Sequence, residues 1–167
     1  NASLINADTR LKEESLYNYA LATYESKAPF GETIKAFDRF INEYPNSTHL
    51  NSIYELMVNV FLTDKNYIGA VEAIDNIKNP TKKMIQAKEQ ALFNIGVESF
   101  KKRRYDKAIE YFTKSTELYN AQSFSGQAYL WLGETYYAKE NMPAARENII
   151  KFIGTKQGKT AEQTASV

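Results

Sequence analysis

A pattern of large apolar, aromatic and small residues recurs four times along this chain. The copies begin near Glu14, Asn51, Glu89 and Gly126, so that successive copies are 37, 38 and 37 residues apart. A period of this length is typical of stacked helix pairs, in which each pair covers the apolar face of the previous one. The period therefore predicts an all-α solenoid of about four antiparallel helix pairs, which offers an extended binding surface and no catalytic cleft.

The pattern also predicts which residues join the two helices of each pair. Counted from each start, positions 4, 7, 11 and 24 mostly hold large residues, while positions 8 and 20 mostly hold small ones. This is the i, i+3, i+4, i+7 spacing of one helical face. Large residues would fill the space between paired helices, and small ones would let the two backbones approach closely. The predicted points of close approach are Gly96, Gly133, Ala70, Ala108 and Ala145.

The fourth copy shows the pattern most clearly, as Tyr129-x2-Leu132-Gly133-x2-Tyr136 followed by Ala145. With these residues the chain resembles the tetratricopeptide repeat family. The resemblance implies a right-handed superhelix in which the first helix of each pair lines the concave side, where a protein or an extended peptide binds. It implies a scaffold and no enzyme. Residues that depart from the family pattern are Leu21, Val58, Thr33 and Ser99.

A narrower resemblance concerns the cell compartment. The run from Phe37 to Ser47 and the period of 37 to 38 residues are similar to the repeats of bacterial envelope proteins, including outer-membrane assembly lipoproteins and periplasmic division factors. The chain has no cysteine, which excludes disulfides and thiolate sites and agrees with an envelope compartment. We therefore expect a periplasmic or envelope-associated protein, with a cytoplasmic location as the alternative.

The repeats divide the chain into three stretches. Residues 1–13 form a lead-in that starts with a processed terminus or a cloning remnant at residues 1–2, residues 14–154 hold the four repeats, and residues 155–167 are polar without an apolar stripe. Because the end unit of a solenoid needs a polar outer face, we expect the polar stretch to leave the last helix pair uncovered. The repeats would then belong to a longer protein or associate with a second copy.

Proline and turn residues limit the expected helices. Pro80 and Pro143 fit the first turn of a helix, where the missing N–H costs nothing, and the stretch from Tyr44 to Ser47 ends one helix and starts the next. No apolar run approaches the ~20 residues of a membrane-spanning helix. The expected helices lie near residues 9–27, 30–44, 48–64, 67–78, 81–102, 105–119, 121–139 and 142–153.

The residues offer no catalytic, cofactor or metal site. His49 is the single histidine and, without a cysteine or a second histidine, it has no partners for a metal site or a triad. We therefore expect it to be an ordinary solvated residue. The segment from Gly154 to Thr160 superficially resembles a phosphate-binding loop, but its glycines are one residue too close and it follows a helix instead of a strand. The sequence predicts no enzymatic activity, no cofactor and no bound metal.

Charge gives little information about the partner. With 21 basic and 20 acidic side chains the net charge is +1, which does not point to nucleic acid or an anionic membrane. The run Lys101-Lys102-Arg103-Arg104 is the strongest local cluster, and Glu98, Asp106 and Glu110 are near enough in sequence to offset it. A solvated turn is the first interpretation of this run, and contact with an acidic partner or with nucleic acid is the alternative.

The family resemblance assigns the partner-binding surface to positions 2, 5, 9, 12 and 13 of each first helix, with position 6 at its edge. Trp131 is the main candidate anchor, because tryptophan buries a large apolar area and keeps a polar handle. For Trp131, Phe93 and Phe100 the alternative is packing against a neighbouring repeat. Position 5 holds no cation, so a chaperone clamp for a C-terminal carboxylate is not expected. The candidate residues are Asn18, Glu25, Glu55, Asn59, Phe93, Asn94, Val97, Lys101, Trp131, Glu134 and Tyr137.

The sequence agrees with two functions. The first is a protein-interaction scaffold that binds a protein or an extended peptide on the concave surface. The alternative is an architectural spacer, whose repeats stack on other repeats or on a second copy through the ends of the solenoid. An exposed first-helix surface would favour the scaffold, whereas apolar surface concentrated at the ends would favour the spacer.

Overall fold

The structure is a computed structural model that describes residues 2–118 and 125–165, with side chains for residues 7–118 and 126–160. Throughout these residues the fold is built from helices joined by short turns. This confirms the all-α prediction. Among these residues no helix is long and apolar enough to cross a membrane. The helices are α1 (Ala2–Glu25), α2 (Phe30–Glu43), α3 (Leu50–Thr63), α4 (Tyr67–Asp75), α5 (Lys82–Lys101), α6 (Tyr105–Glu117), α7 (Ser125–Ala138), α8 (Met142–Gly154) and α9 (Lys156–Ala165).

The helices form two compact units. The first unit, Asn1–Asn79, contains α1 to α4, and the second unit, Pro80–Val167, contains α5 to α9. Within the units α1 packs on α2, α3 on α4, α5 on α6 and α7 on α8, so each predicted pair of helices is an antiparallel neighbour pair. The repeat boundaries proposed from the sequence remain a prediction. α1 begins at Ala2, whereas the sequence indicated a start near residue 9.

One backbone motif closes the turn inside every pair. After α3, the N–H of Asn66 donates to the carbonyl of Phe61 at 2.8 Å. The N–H of Lys65 donates to the carbonyl of Leu62 at 3.2 Å. Together these are the two bonds of a Schellman motif, whose central residue takes the left-handed conformation that glycine prefers. Here the residues with positive φ are not glycines and recur 38, 38 and 37 residues apart: Lys27 (54°), Lys65 (58°), Arg103 (55°) and Glu140 (59°).

We expect Arg103→Gly to raise the free energy of unfolding by about 0.5–1 kcal/mol, measured by urea denaturation. Glycine removes the strain of a side chain at positive φ, and part of that gain is offset by the larger entropy of glycine in the unfolded chain. Lys102→Gly is the matched control, because Lys102 has φ −84° and gains nothing from glycine. Equal effects of the two substitutions would contradict this account of the turn.

Close contacts inside the pairs occur where the small residues predicted them. A Cβ added to Gly96 would lie 2.6 Å from the ring of Phe112 on the partner helix. A Cβ on Gly133 would lie 2.6 Å from Ile149. These distances confirm that both glycines are points of close approach. In the pair α3/α4, where Val58 stands at the corresponding position, the tight contact falls instead on Gly69, a glycine that the sequence pattern did not single out.

Gly96→Leu is expected to lower the free energy of unfolding by roughly 1–3 kcal/mol, because the added side chain would overpack the contact with Phe112. Thermal and urea unfolding measure this change. Gly31→Leu serves as the control, since Gly31 is also helical but has no atom within 4 Å of an added Cβ. A stable Gly96→Leu variant would show that α5 and α6 pack in another register.

The core of the first unit contains an aromatic group around His49. Phe40 is fully buried, and its ring lies 5.7 Å from that of Tyr17. The His49 ring stacks on Tyr17 with 4.0 Å between centroids, and its Nε2 is 3.2 Å from Oε1 of Glu14. The expectation of an ordinary solvated histidine is therefore wrong. Because its ring stacks on Tyr17 and its Nε2 lies near Glu14, His49 connects the start of α3 to α1.

The end of the second unit differs from the sequence expectation. Residues 156–165 form α9, which contacts both α7 and α8. Gly158 is buried, its N–H donates to Oγ1 of Thr155 at 3.1 Å, and a Cβ there would collide with the carbonyl of Phe152. The prediction that residues 155–167 leave the last helix pair uncovered is wrong. α9 meets the end of α8 through Gly158 and Thr155. Because this contact depends on close backbones, the segment needs no apolar stripe to make it.

Candidate partner-binding surfaces

The first unit holds four of the predicted binding residues, which we call the first-unit surface: Asn18 and Glu25 on α1, and Glu55 and Asn59 on α3. Asn18, Glu25 and Asn59 are exposed, and Glu55 is half-buried. Helical spacing puts each pair on one side of its helix, at positions four or seven residues apart. The structure thus leaves these polar side chains accessible within the first unit.

A cleft in the first unit brings two of these residues together. Its volume is about 600 Å³, and it lies between the C-terminal ends of α1 and α3 and the first turn of α2. Glu25 and Asn59 line it, whereas Asn18 and Glu55 do not. The complete lining of this first-unit cleft is Tyr24, Glu25, Lys27, Ala28, Phe30, Thr33, Asn59, Val60, Thr63 and Asp64.

Phe30 is a cleft residue that the sequence reasoning missed. Phe30 remains 37% exposed, although its ring lies 5.9 Å from that of the buried Phe61. A signal was available, because Tyr67 and Tyr105 hold aromatic rings at the corresponding position of the next two copies. That position starts each second helix, whereas the family resemblance points to first helices only. Phe30 is therefore absent from the predicted binding residues.

The charges of the first-unit cleft are carried by Glu25, Lys27 and Asp64, all exposed. In the part of the chain that the structure describes, Glu25 and Asp64 form no ion pair. Thr63 donates its hydroxyl to the carbonyl of Asn59 at 2.8 Å, so its oxygen can still accept a hydrogen bond. The cleft thus combines an apolar floor with a polar rim on which the carboxylates outnumber the ammonium group.

In the second unit the predicted aromatic residues pack against each other. The Trp131 ring meets the Phe100 ring edge-on at 5.2 Å and stacks on Phe112 at 6.0 Å. The Phe93 ring lies 5.7 Å from that of Phe112. Val97 also packs on this cluster. Trp131 and Phe100 therefore pack across neighbouring repeats, as the alternative stated, whereas Phe93 contacts Phe112 of its own helix pair.

Other predicted residues of the second unit remain accessible, and we call the whole predicted set there the second-unit surface. Lys101, Glu134 and Tyr137 are exposed, with 62% of Tyr137 accessible. Asn94 is half-buried. Tyr137 is therefore the predicted aromatic residue with the most free surface. The second-unit surface comprises Phe93, Asn94, Val97 and Lys101 on α5, and Trp131, Glu134 and Tyr137 on α7.

The basic run from Lys101 to Arg104 is exposed at the turn between α5 and α6. Two of the acids expected to offset it have other partners. Asp106 forms an ion pair with Lys139, and Glu110 lies 2.6 Å from Lys114, whose hydrogen bond lowers the pKa of the Glu110 carboxyl. The four cations are therefore exposed and keep both interpretations of this run, a solvated turn and contact with an acidic partner or nucleic acid, as predictions.

Comparison with protein families agrees with the helix pairs described above. Residues 14–47 match the tetratricopeptide repeat model, and residues 85–165 match the model of an outer membrane lipoprotein family, YfiO. These two matches confirm the resemblance to the tetratricopeptide repeats of envelope proteins. Tetratricopeptide repeats are protein-interaction scaffolds, and this general role is the one that the repeats support.

Similar solved structures share little sequence identity with this chain. The MamA RS-1 ArsTM double mutant is 18% identical, with 88% of this chain and 76% of that chain covered and a TM-score of 0.46. A crystal structure of MamA is 18% identical, with 96% and 86% covered and a TM-score of 0.47. BtubC (BKLC) from P. vanneervenii is 14% identical, with 87% and 62% covered and a TM-score of 0.43. No curated protein matches the sequence significantly.

Trp131 and Tyr137 both lie on α7, but Trp131 packs against other rings whereas Tyr137 is exposed, and substitutions can test this difference. Trp131→Ala is expected to lower the free energy of unfolding by about 2–4 kcal/mol, because it empties the space between Phe100 and Phe112. Tyr137→Ala is expected to change it by less than about 0.5 kcal/mol, since most of that ring is in solvent. Urea denaturation of both variants measures the difference. A mild effect at Trp131 would contradict its role in packing.

Proposed function

We propose that this chain is a non-enzymatic scaffold that binds a protein or an extended peptide on the first-helix surfaces of its repeats. The observation that carries the proposal is the first-unit cleft, where the predicted binding residues Glu25 and Asn59 border the same concavity as the exposed ring of Phe30. Clefts with an apolar lining and a few polar groups are the usual form of a binding site. The cleft and the predicted surface thus overlap at Glu25 and Asn59.

The second unit supports the same role through Tyr137 and its neighbours. Tyr137 is exposed on α7 beside Glu134, on a helix held rigidly by the packing of Trp131. Exposed tyrosines next to polar groups often dominate interface energies. Because helices of a repeat are formed before the partner arrives, little conformational entropy is lost in the receptor on binding. A partner could therefore bind tightly through few contacts.

We further propose that the chain acts in the bacterial periplasm or at the cell envelope, as part of a larger protein. The match of residues 85–165 to an outer membrane lipoprotein family supports this location. The absence of cysteine in the sequence is compatible with it. The scaffold would then bind its partner within the cell envelope.

An architectural role is the second candidate, and one surface favours it. Met142, Ile150 and Ile153 are 50%, 58% and 48% exposed, and their spacing puts them on one side of α8. Large apolar residues grouped on a helix face commonly mark contacts with another protein. In this role the second unit would stack on another repeat or on a second copy through α8.

Site-specific photo-cross-linking would distinguish the two roles. We would place a photoreactive phenylalanine analogue at Asn59 or Glu134, both exposed on first helices, and at Glu147 on a second helix as the control. Cross-links to one discrete partner from the first two positions and none from Glu147 are expected, because the partner lies against first helices. Mass spectrometry would identify the partner.

The same experiment can reject the scaffold. A cross-linker at Ile150 that captures a second copy of the chain, while Asn59 and Glu134 capture nothing, would show the architectural role instead. Circular dichroism of each variant would confirm that the helices are intact, so that a missing cross-link reports on binding alone.

A further inference from the structure

We propose that the first-unit cleft binds a bulky apolar side chain of an extended peptide segment that carries a lysine or arginine next to it. This inference rests on the scaffold function proposed above and names the chemistry of the partner at one of its surfaces. It depends on three features of the cleft: its exposed aromatic floor, the excess of negative charge at its rim, and the free hydrogen-bonding groups of α3.

The floor of the cleft is apolar and rigid. Phe30 exposes 37% of its surface there, and its back is supported by the ring of Phe61 at 5.9 Å. Tyr24 lies beside it with its ring 6.4 Å from the fully buried Phe37. Val60 completes the floor from α3. A ring or branched side chain placed here would cover apolar surface that is now open to water, which is the main source of binding energy at such sites.

The size of the cleft fits a side chain together with its chain neighbours. Its volume of about 600 Å³ lies within the range of roughly 300–1,000 Å³ found for binding pockets. It lies among the ends of three helices, so a chain can pass through without threading a closed cavity. An extended segment with one anchoring side chain matches this shape.

The rim of the cleft favours a positive charge. Glu25 and Asp64 are exposed carboxylates opposed by the single ammonium group of Lys27. The C-terminal ends of α1 and α3 both reach the cleft, and helix C-termini carry partial negative charge. The N-terminus of α2 contributes partial positive charge there, but it is one helix end against two. A lysine or arginine beside the anchor is therefore attracted, while phosphate groups and acidic segments are repelled.

The third feature is the group of polar atoms on α3. The exposed amide of Asn59 has both donors and an acceptor, the same set that a peptide backbone needs. In the described chain this amide forms no hydrogen bond with another residue. The hydroxyl of Thr63, one turn further along α3, faces the same cleft. These groups would hold the backbone of the segment on either side of its anchor.

The test starts from a library of random nonapeptides displayed on phage and selected on the purified full chain. Enriched peptides are expected to share an aromatic or large aliphatic residue with Lys or Arg within two positions. A synthetic, fluorescently labelled copy of the most enriched peptide then gives dissociation constants by fluorescence anisotropy. Enrichment of acidic peptides, of peptides without an apolar anchor, or of no peptides would overturn the proposal.

Variants of the chain connect the peptide to the cleft. Glu25→Gln with Asp64→Asn is expected to weaken binding about tenfold at low salt, corresponding to about 1.4 kcal/mol, and to weaken it less at high salt. Glu117→Gln with Glu140→Gln, two exposed acids of the second unit outside the predicted binding residues, is the matched control and should leave binding unchanged. Equal effects of the two double variants would overturn the assignment to the cleft.

Substitution of the floor gives a second measurement. Phe30→Ala is expected to weaken the same peptide by more than about tenfold, since it removes the exposed ring. Because Phe30 also contacts Phe61, circular dichroism and urea unfolding would check the fold of this variant, and the charge variant above does not depend on that contact. Unchanged affinity in a folded Phe30→Ala variant would overturn the proposal.

The outcome also separates this inference from the scaffold function. If photo-cross-links at Glu134 capture a discrete partner but the cleft variants bind peptides normally, the scaffold stands and the cleft assignment fails. If neither first-helix position captures a partner and no peptide is enriched, the scaffold function fails together with it.

Discussion

The close approach of two helices at a glycine is the contact on which the pairs α3/α4, α5/α6 and α7/α8 depend. In the second unit Gly96 meets the ring of Phe112, and Gly133 meets Ile149, at distances that leave no room for a Cβ. A helix that approaches this closely buries the large residues on either side of the glycine, and that burial is the main stabilising term. The left-handed turn residue at Arg103 then fixes how α5 returns into α6. Where the glycine is shifted, as at Gly69, the tight contact shifts with it.

The aromatic residues of the second unit show how packing and recognition share one helix. Trp131 and Phe100 stand at positions that line the binding face in related repeats, yet their rings contact each other and Phe112. Their packing holds α5 and α7 in fixed relation, and the exposed side chain of Tyr137 is presented from that rigid support. An aromatic residue on a first helix is therefore a poor guide to a binding anchor unless the surface it exposes is known.

The first unit is built from the same repeat but leaves the side chain of Phe30 partly exposed beside a cleft. Here the ends of α1 and α3 and the start of α2 leave an open cleft, because Phe30 covers only part of the space above Phe61. Two helix C-termini and two carboxylates set the sign of its rim. Charge at this site thus comes as much from the direction of the backbone as from side chains. The opposite end of the same unit is closed by the stack of His49 on Tyr17.

The sequence alone determined helices α1 to α8, their pairing and the close approach at Gly96 and Gly133, because these depend on local periodicity and on residue size within a period of 37 or 38 residues. The family resemblance also pointed to Glu25 and Asn59, which the structure places at the edge of one cleft. Only the tertiary structure decided that Trp131 packs, that His49 is stacked and that Phe30 remains open, because burial depends on which neighbours cover a side chain. The same holds for α9, whose contact through Gly158 needs close backbones and no apolar stripe. The local sequence pattern thus determines the side of a helix on which a residue lies, whereas its exposure depends on which other helices pack against that side.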